Sequence, residues 1–272
     1  MPHAMTRFPI PYLGHKTRPL LDLLGFCLLL AILAWLTLAG SERLGYNWQW
    51  YRLPRYLLQD IDGRLAAGPL LQGLAVTLKI TAAGLVLATL LGMTTALLRL
   101  SSSVVGRILA TAYLETVRNT PLLIQILFIY FALSPVLGIG GLASGILALA
   151  LFEGAYASEI IRAGIVSVER GQWEAAYSLG LSRTQAYARV VLPQALRRVL
   201  PPLTGQAVSL VKDSALVSTI AVHELTMQGQ IIVADTFLTF EVWFTVAAMY
   251  LLLNISLSLA ASGLERRMAL TA

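Results

Sequence analysis

The sequence predicts an all-α, polytopic membrane protein with six transmembrane helices and a cytoplasmic pair of short helices. Three observations carry this prediction. The 272 residues are 57% apolar and only 12% charged, about half the charged share of an average soluble domain. Six apolar stretches approach the roughly 20 residues that a helix needs to cross the hydrocarbon core. The arginines alternate between connections, as the positive-inside rule requires. Mean hydropathy is +0.73.

The first stretch runs from Leu20 to Ala39. Arg7, Lys16 and Arg18 precede it and Thr37-Leu38-Ala39 resembles a cleavage site, so a signal peptide is the alternative. The apolar part exceeds a usual signal core, which favours an uncleaved helix. The second spans Leu70 to Leu98, long enough to tilt, with Lys79 able to snorkel. The third runs from Leu114 to Leu137, the fourth from Gly141 to Ile161, the fifth from Leu200 to Ala221 and the sixth from Phe240 to Leu264. Lys212 and Asp213 make the fifth the least hydropathic.

An even number of spans puts both termini on one side. The N-terminal tail, Arg99, Arg107, the run Arg162, Arg170, Arg183, Arg189, Arg197 and Arg198, and Arg266 with Arg267 assign that side to the cytoplasm. The opposite connections 134–140 and 222–239 contain no Lys or Arg. The first outer connection runs against the trend with Arg43, Arg52, Arg55 and Arg64. Its Trp48, Trp50, Tyr51 and Tyr56 read as an interfacial aromatic belt on a short surface helix. The net charge of +6 therefore reports topology, and no nucleic-acid motif accompanies it. One cysteine, Cys27, forms no internal disulfide, and His3, His15 and His223 show no metal spacing.

The long cytoplasmic connection, residues 163–199, is rich in helix formers. Residues 171–179 have helical propensity, and Gly180 stands where a helix needs a left-handed residue. Ser182-Arg183-Thr184-Gln185 has capping-box form and starts a second helix expected to stop at Pro193. Trp173, Ala176, Tyr177 and Gly180 share one face at i, i+3, i+4, i+7 spacing. That face fits either packing onto the inner helix ends or docking of a cytoplasmic partner.

The run Glu174-Ala175-Ala176, Gly180, Val190 and Leu192-Pro193 resembles, with the same spacing, the EAA loop of ABC-type importer permeases, in which an Ile usually stands where Val190 does. Residues 115–125 (Glu115 to Gln125), 153–165 (Glu153 to Ile165) and 210–216 (Leu210 to Leu216) resemble segments of the polar amino acid permeases. Together these cover the chain from Leu70 onward as a permease core, 70–272. Residues 1–69, with the extra N-terminal helix, fall outside the resemblance. It implies a non-enzymatic transport subunit in the bacterial inner membrane. Its partners would be cytoplasmic ATP-binding subunits, a second permease subunit and an extracytoplasmic substrate-binding protein. ATP and Mg would be held by the partner ATPase, and this chain would carry no cofactor. None of its three lysines follows a glycine, so it has no phosphate-binding Gly-Lys-Ser/Thr loop. Trp173, Glu174, Ala175, Ala176, Tyr177, Gly180, Leu192 and Pro193 would couple to the ATPase. The substrate would be a polar or acidic amino acid.

Ionisable groups at bilayer depth are functional candidates by default. Glu153 falls midway along the fourth span. With Gln125, Ser209, Lys212 and Asp213 it forms a candidate substrate path that could satisfy both ends of an amino acid; gluing helices together is the alternative role. Lys212 and Asp213 are about 100° apart on a helix and cannot share one partner. Glu115 with Arg118, and Glu159 with Arg162, are three apart and placed to pair as anchors or gates. Gly84, Gly92, Gly145 and Gly154 suit close helix packing. Two other classes compete. An intramembrane enzyme lacks a recognisable catalytic motif here, and an ion-coupled secondary transporter would show internal repeats and broken helices, neither of which the sequence displays.

Overall fold

The computed structural model describes residues 18–43, 45–61 and 63–269. Its contacts divide the chain into two units, Met1–Trp48 and Gln49–Ala272. In the first, α1 (Arg18–Arg43) exposes Leu28, Ile32 and Trp35. Its apolar stretch, Leu23–Thr37, is shorter than a usual span. Arg7 and Lys16 lie outside the described residues.

The second unit opens with a 3-10 turn, Trp50–Arg52, and the one-turn helix α2 (Pro54–Leu57). An antiparallel hairpin follows, β1 (Leu58–Ile61) with β2 (Arg64–Ala67), pairing Leu58 with Ala67 and Ile61 with Arg64. The expected surface helix is thus a single turn, because the chain doubles back at Gly63, whose φ of +73° suits a tight hairpin turn. Leu53, Tyr56 and Leu57 pack against a cluster formed by Leu70, Leu225, Ile232, Leu238, Val242 and Val246. The amide of Gln49 donates to Glu241 Oε1 at 2.6 Å. Residues 49–68 therefore go with the helical core, although the sequence groups them with the N-terminal segment.

The core helices are α3 (Pro69–Leu100), α4 (Val104–Arg118), α5 (Leu122–Phe128), α6 (Ser134–Leu137) and α7 (Gly141–Val166). After them come α8 (Arg170–Ser178), α9 (Arg183–Ala186), α10 (Leu192–Asp213), α11 (Leu225–Thr236) and α12 (Thr239–Ala269). By length and composition, α3, α7 and Thr239–Gly263 of α12 can cross a membrane. The pair Val104–Arg118 and Leu122–Leu137 adds a fourth if it is one span, bent by 107°. Helix length alone does not reach six, because α1 is short in apolar residues and α10 carries Arg197, Arg198, Lys212 and Asp213.

Two expected boundaries change, both at prolines. Where the sequence predicts one continuous span from Leu114 to Leu137, a helix that begins at Val104 breaks at Asn119-Thr120-Pro121, where Pro121 is extended with ψ at 137°. A proline disfavours helix at the residue before it. The freed carbonyls of Val117 and Thr120 accept from Gln125 Nε2 at 2.8 and 3.0 Å. A π-helical turn, Ile129–Leu133, then joins α5 to α6.

The second helix expected in this connection does not stop at Pro193. A π-helical turn, Tyr187–Val191, bridges α9 and α10, and the Leu192 amide reaches back five residues to the Tyr187 carbonyl. This shift of register places Pro193 at the start of a new helical segment, where its missing N–H leaves no bond unmade.

The centre of the core is the contact of α3 with α7. A Cβ at Gly92 would lie 2.8 Å from the Ala157 Cβ and 3.0 Å from the Ser158 amide. At Gly154 it would approach the Ala88 carbonyl at 3.2 Å. These glycines act in packing, as their sequence context predicts.

Gly92→Ala forces two backbones apart and is expected to destabilise the protein by about 1–3 kcal/mol. Thermal unfolding of the purified chain in detergent checks this, and an unchanged midpoint contradicts the close approach.

Candidate functional site

Polar side chains occupy three levels of the bundle. At the middle of α7, Glu153 is only 3% exposed and its carboxyl faces that of Asp213 at the end of α10. Among the described residues Glu153 Oε2 has no hydrogen-bond partner, and neither do the buried Thr81 Oγ1 and Ser158 Oγ. Lys212 is exposed while Asp213 is half-buried, the divergence that adjacency on a helix dictates. Ser209 lies half-buried one turn before Asp213. Gln125, expected beside them, spends its amide on the α4–α5 bend, with Thr120 Oγ1 at 2.8 Å as a third acceptor. The structure thus brings Glu153 and Asp213 together and gives Gln125 a structural task.

Toward the C-terminal ends of α3, α4 and α7, Glu159 is shared by three arginines. Arg99 pairs with its Oε1, Arg118 with Oε1 at 3.4 Å, and Arg162 with Oε2 at 3.1 Å. Arg118 also lies over the Tyr156 ring, 5.8 Å from its centroid, inside the reach of about 6 Å over which a cation is attracted to a ring face. The expected Glu159–Arg162 pair is present. The expected Glu115–Arg118 pair is not, because Arg118 turns to α7 and Glu115 Oε2 accepts from Asn119 Nδ2 at 3.0 Å.

In the connecting loop, α8 ends as its sequence predicts. Gly180 has φ +74°, its amide donates to the Tyr177 carbonyl at 2.9 Å, and the Leu181 amide donates to the Ala176 carbonyl at 3.2 Å. These are the paired bonds of a Schellman cap. Ser182 and Gln185 complete the capping box at 3.3 and 2.9 Å. The shared apolar face divides. Ala176 is buried, and Trp173 packs on a cluster of Ala96, Ile161, Ile165, Val191 and Val199 and meets the Tyr187 ring edge-on at 5.5 Å. Glu174, Ala175, Tyr177, Leu192 and Pro193 stay exposed. Leu179, which the sequence does not single out, is 81% exposed. Its position directly before the left-handed Gly180 was the available signal. Glu174 pairs with Arg170 at 2.9 Å on the open surface, a contact of small energetic weight.

At the opposite level, Glu224 caps α11 and is fully buried. It accepts from the amides of Thr226 and Met227, from Tyr250 at 2.8 Å and from Thr77 at 3.4 Å. One carboxyl so ties α3, α11 and α12. Sequence reasoning left this cluster out, because its members lie 26 and 147 residues apart from Glu224.

The stretch of chain that builds this core and loop matches a known family. Residues 65–270 fit the model of the binding-protein-dependent transport system inner membrane component. The chain belongs to this family. It is accordingly a membrane transport component and not an enzyme. The glutamine transport system permease protein of Escherichia coli K12 is 38% identical over 202 residues, covering 73% of this chain and 92% of that protein. A probable glutamine ABC transporter permease protein of Bacillus subtilis is 44% identical over 200 residues, 72% and 91% of the two chains. A crystal structure of an amino acid ABC transporter with histidines superposes with a TM-score of 0.69 at 39% identity, covering 73% of this permease and 94% of that chain.

Burial pushes the Glu224 carboxyl of the permease above its ordinary value of 4.5, against the pull of its hydrogen-bond donors. A carboxyl whose folded value is raised lends stability that is complete below pH 4.5 and is lost as the pH rises through the folded value. Glu224→Gln is expected to flatten this part of the stability–pH curve. Thermal midpoints of both proteins across pH 4 to 8 check it, and parallel curves contradict it.

Proposed function

We propose that the chain is the permease subunit of an ATP-driven importer of polar amino acids, taking its energy from a separate ATPase. The observation that carries this reading is the exposed α8–α9 unit: an ordered, doubly capped loop whose outer face offers Glu174, Tyr177 and Leu179 while Trp173 roots it in the helical core. ATP-binding subunits would dock there, with nucleotide and Mg held on their side. Six crossings are proposed, α1 and the continuous run of α10 with the 3-10 segment Ser214–Ile220 completing the count, with both termini in the cytoplasm as the arginine distribution requires. A second permease subunit and an extracytoplasmic binding protein complete the assembly.

The relatives' glutamine names and the amino acid transporter with the matching fold support the substrate class. Glu153 and Asp213 favour the ammonium group common to amino acids. Two facing carboxyls oppose an acidic side chain by like charge, which favours a polar, uncharged one, with an acidic amino acid as the alternative. The exposed Lys212 and half-buried Ser209 are retained as lining residues. Glu159 with Arg99, Arg118 and Arg162 serves as a clamp between helices.

Uptake of labelled glutamine into proteoliposomes holding the full complex tests the reading. Transport is expected to need ATP and the ATPase subunits. Leu179→Asp is expected to lower it at least tenfold, the equivalent of about 1.4 kcal/mol of lost docking, while leaving the folded permease intact; Gly180→Asp combined with Glu174→Lys, which also strains the left-handed turn, is expected to lower it at least as far. Uptake without an ATPase, or undiminished in both variants, overturns the assignment.

A further inference from the structure

We propose that Arg99, Arg118 and Arg162 form a phosphate-binding site for the headgroup of an anionic phospholipid in the inner leaflet. The proposal rests on the orientation given above, in which the C-terminal ends of α3 and α7 face the cytoplasm. Three guanidiniums converge on one carboxylate, Glu159, and two positive charges are left over. Among the described residues no second carboxylate lies within ion-pair distance of them. Glu115, one turn before Arg118, is held by Asn119 instead.

The cluster also has donors to spare. A guanidinium has five N–H groups in a planar fork that matches a phosphate. Arg118 spends one of them on Glu159, over the longest of the three ion pairs, and its side chain is 42% exposed. Arg99 and Arg162 are a quarter to a third exposed, within reach of a group arriving from outside the bundle. Arg118 is further steadied by the Tyr156 ring, so less side-chain freedom remains to be lost on binding.

Depth decides the ligand's source. The three arginines come from the ends of helices that cross the membrane, where lipid phosphates are concentrated and where basic pockets between helices take anionic headgroups. The helices that supply Arg99 and Arg118 also expose Leu97, Leu98, Ile108 and Leu109, apolar surface for acyl chains to cover.

The assembled transporter is placed in phosphatidylcholine nanodiscs and titrated with phosphatidylglycerol, with the thermal midpoint and lipid retained in native mass spectrometry as readouts. Phosphatidylglycerol is expected to raise the midpoint of the natural protein. Arg118→Gln, which leaves Glu159 two partners, is expected to weaken the apparent lipid affinity about tenfold, the share of one charge-assisted hydrogen bond. Arg107→Gln, elsewhere on α4, is expected to leave it unchanged. If Arg118→Gln does not assemble, Arg118→Lys keeps the charge without the fork and is expected to show a smaller loss in the same direction.

An equal loss in the Arg107 and Arg118 variants means general surface charge and overturns the site, as does the absence of any loss in the Arg118 variant. Equal stabilisation by inorganic phosphate in pure phosphatidylcholine assigns the site to a soluble anion and overturns the lipid. An Arg118 variant that keeps its lipid but loses its ATPase subunits assigns the cluster to that interface and also overturns it. Failure of ATP-driven uptake beside an intact, Arg118-dependent lipid response sinks the functional reading and not this one.

Discussion

The close approach of α3 and α7 is the contact on which the other features depend. Gly92 and Gly154 bring each helix's backbone against the other, with no room for a Cβ at Gly92. In a bilayer, where lipid is as apolar as leucine, such small-residue seams supply the van der Waals contact that holds helices together. The apolar stretch of α7 is 61% buried, against 28% for α3 and 6% for α12, so α7 is the central helix. It carries both Glu153 and Glu159, less than two turns apart, and the seam lets Arg99 of α3 reach Glu159 from across the contact.

Around this rigid pair the other helices are interrupted. The 107° bend after α4, the π turns at 129–133 and 187–191, and the 3-10 segment at 214–220 each depart from regular α-helical bonding. Irregular backbone within a membrane must find its partners inside the protein. Gln125 does this at the bend by donating to Val117 and Thr120, and in the connecting loop the five-residue reach of the Leu192 amide keeps the backbone bonded before Pro193.

The second of these interruptions links the loop to the buried carboxyls. Because the helix continues through Pro193, residues 183–213 form one helical run about 45 Å long. One end meets Trp173 of α8 through Tyr187, and the other carries Asp213 opposite Glu153. In the proposed function, a displacement of the loop by an ATPase would be delivered along this run to the middle of the bundle. Had the helix ended at Pro193, the loop and the carboxyl pair would be mechanically separate.

The sequence by itself determined the membrane class, the loop caps and the packing glycines, because each rests on local rules. Hydropathy needs only a window of neighbours, the Gly180 and Ser182 caps involve residues within five positions, and a glycine is legible as a missing side chain. The tertiary structure alone decided which face of α8 turns inward, that Arg118 leaves Glu115 for Glu159, that Gln125 staples a bend and that Glu224 joins three helices. Each of these is a choice between near and distant partners. Spacing along a helix shows which pairs can form, but the preferred partner depends on which backbones approach across the bundle, and that is set by packing between residues far apart in the chain.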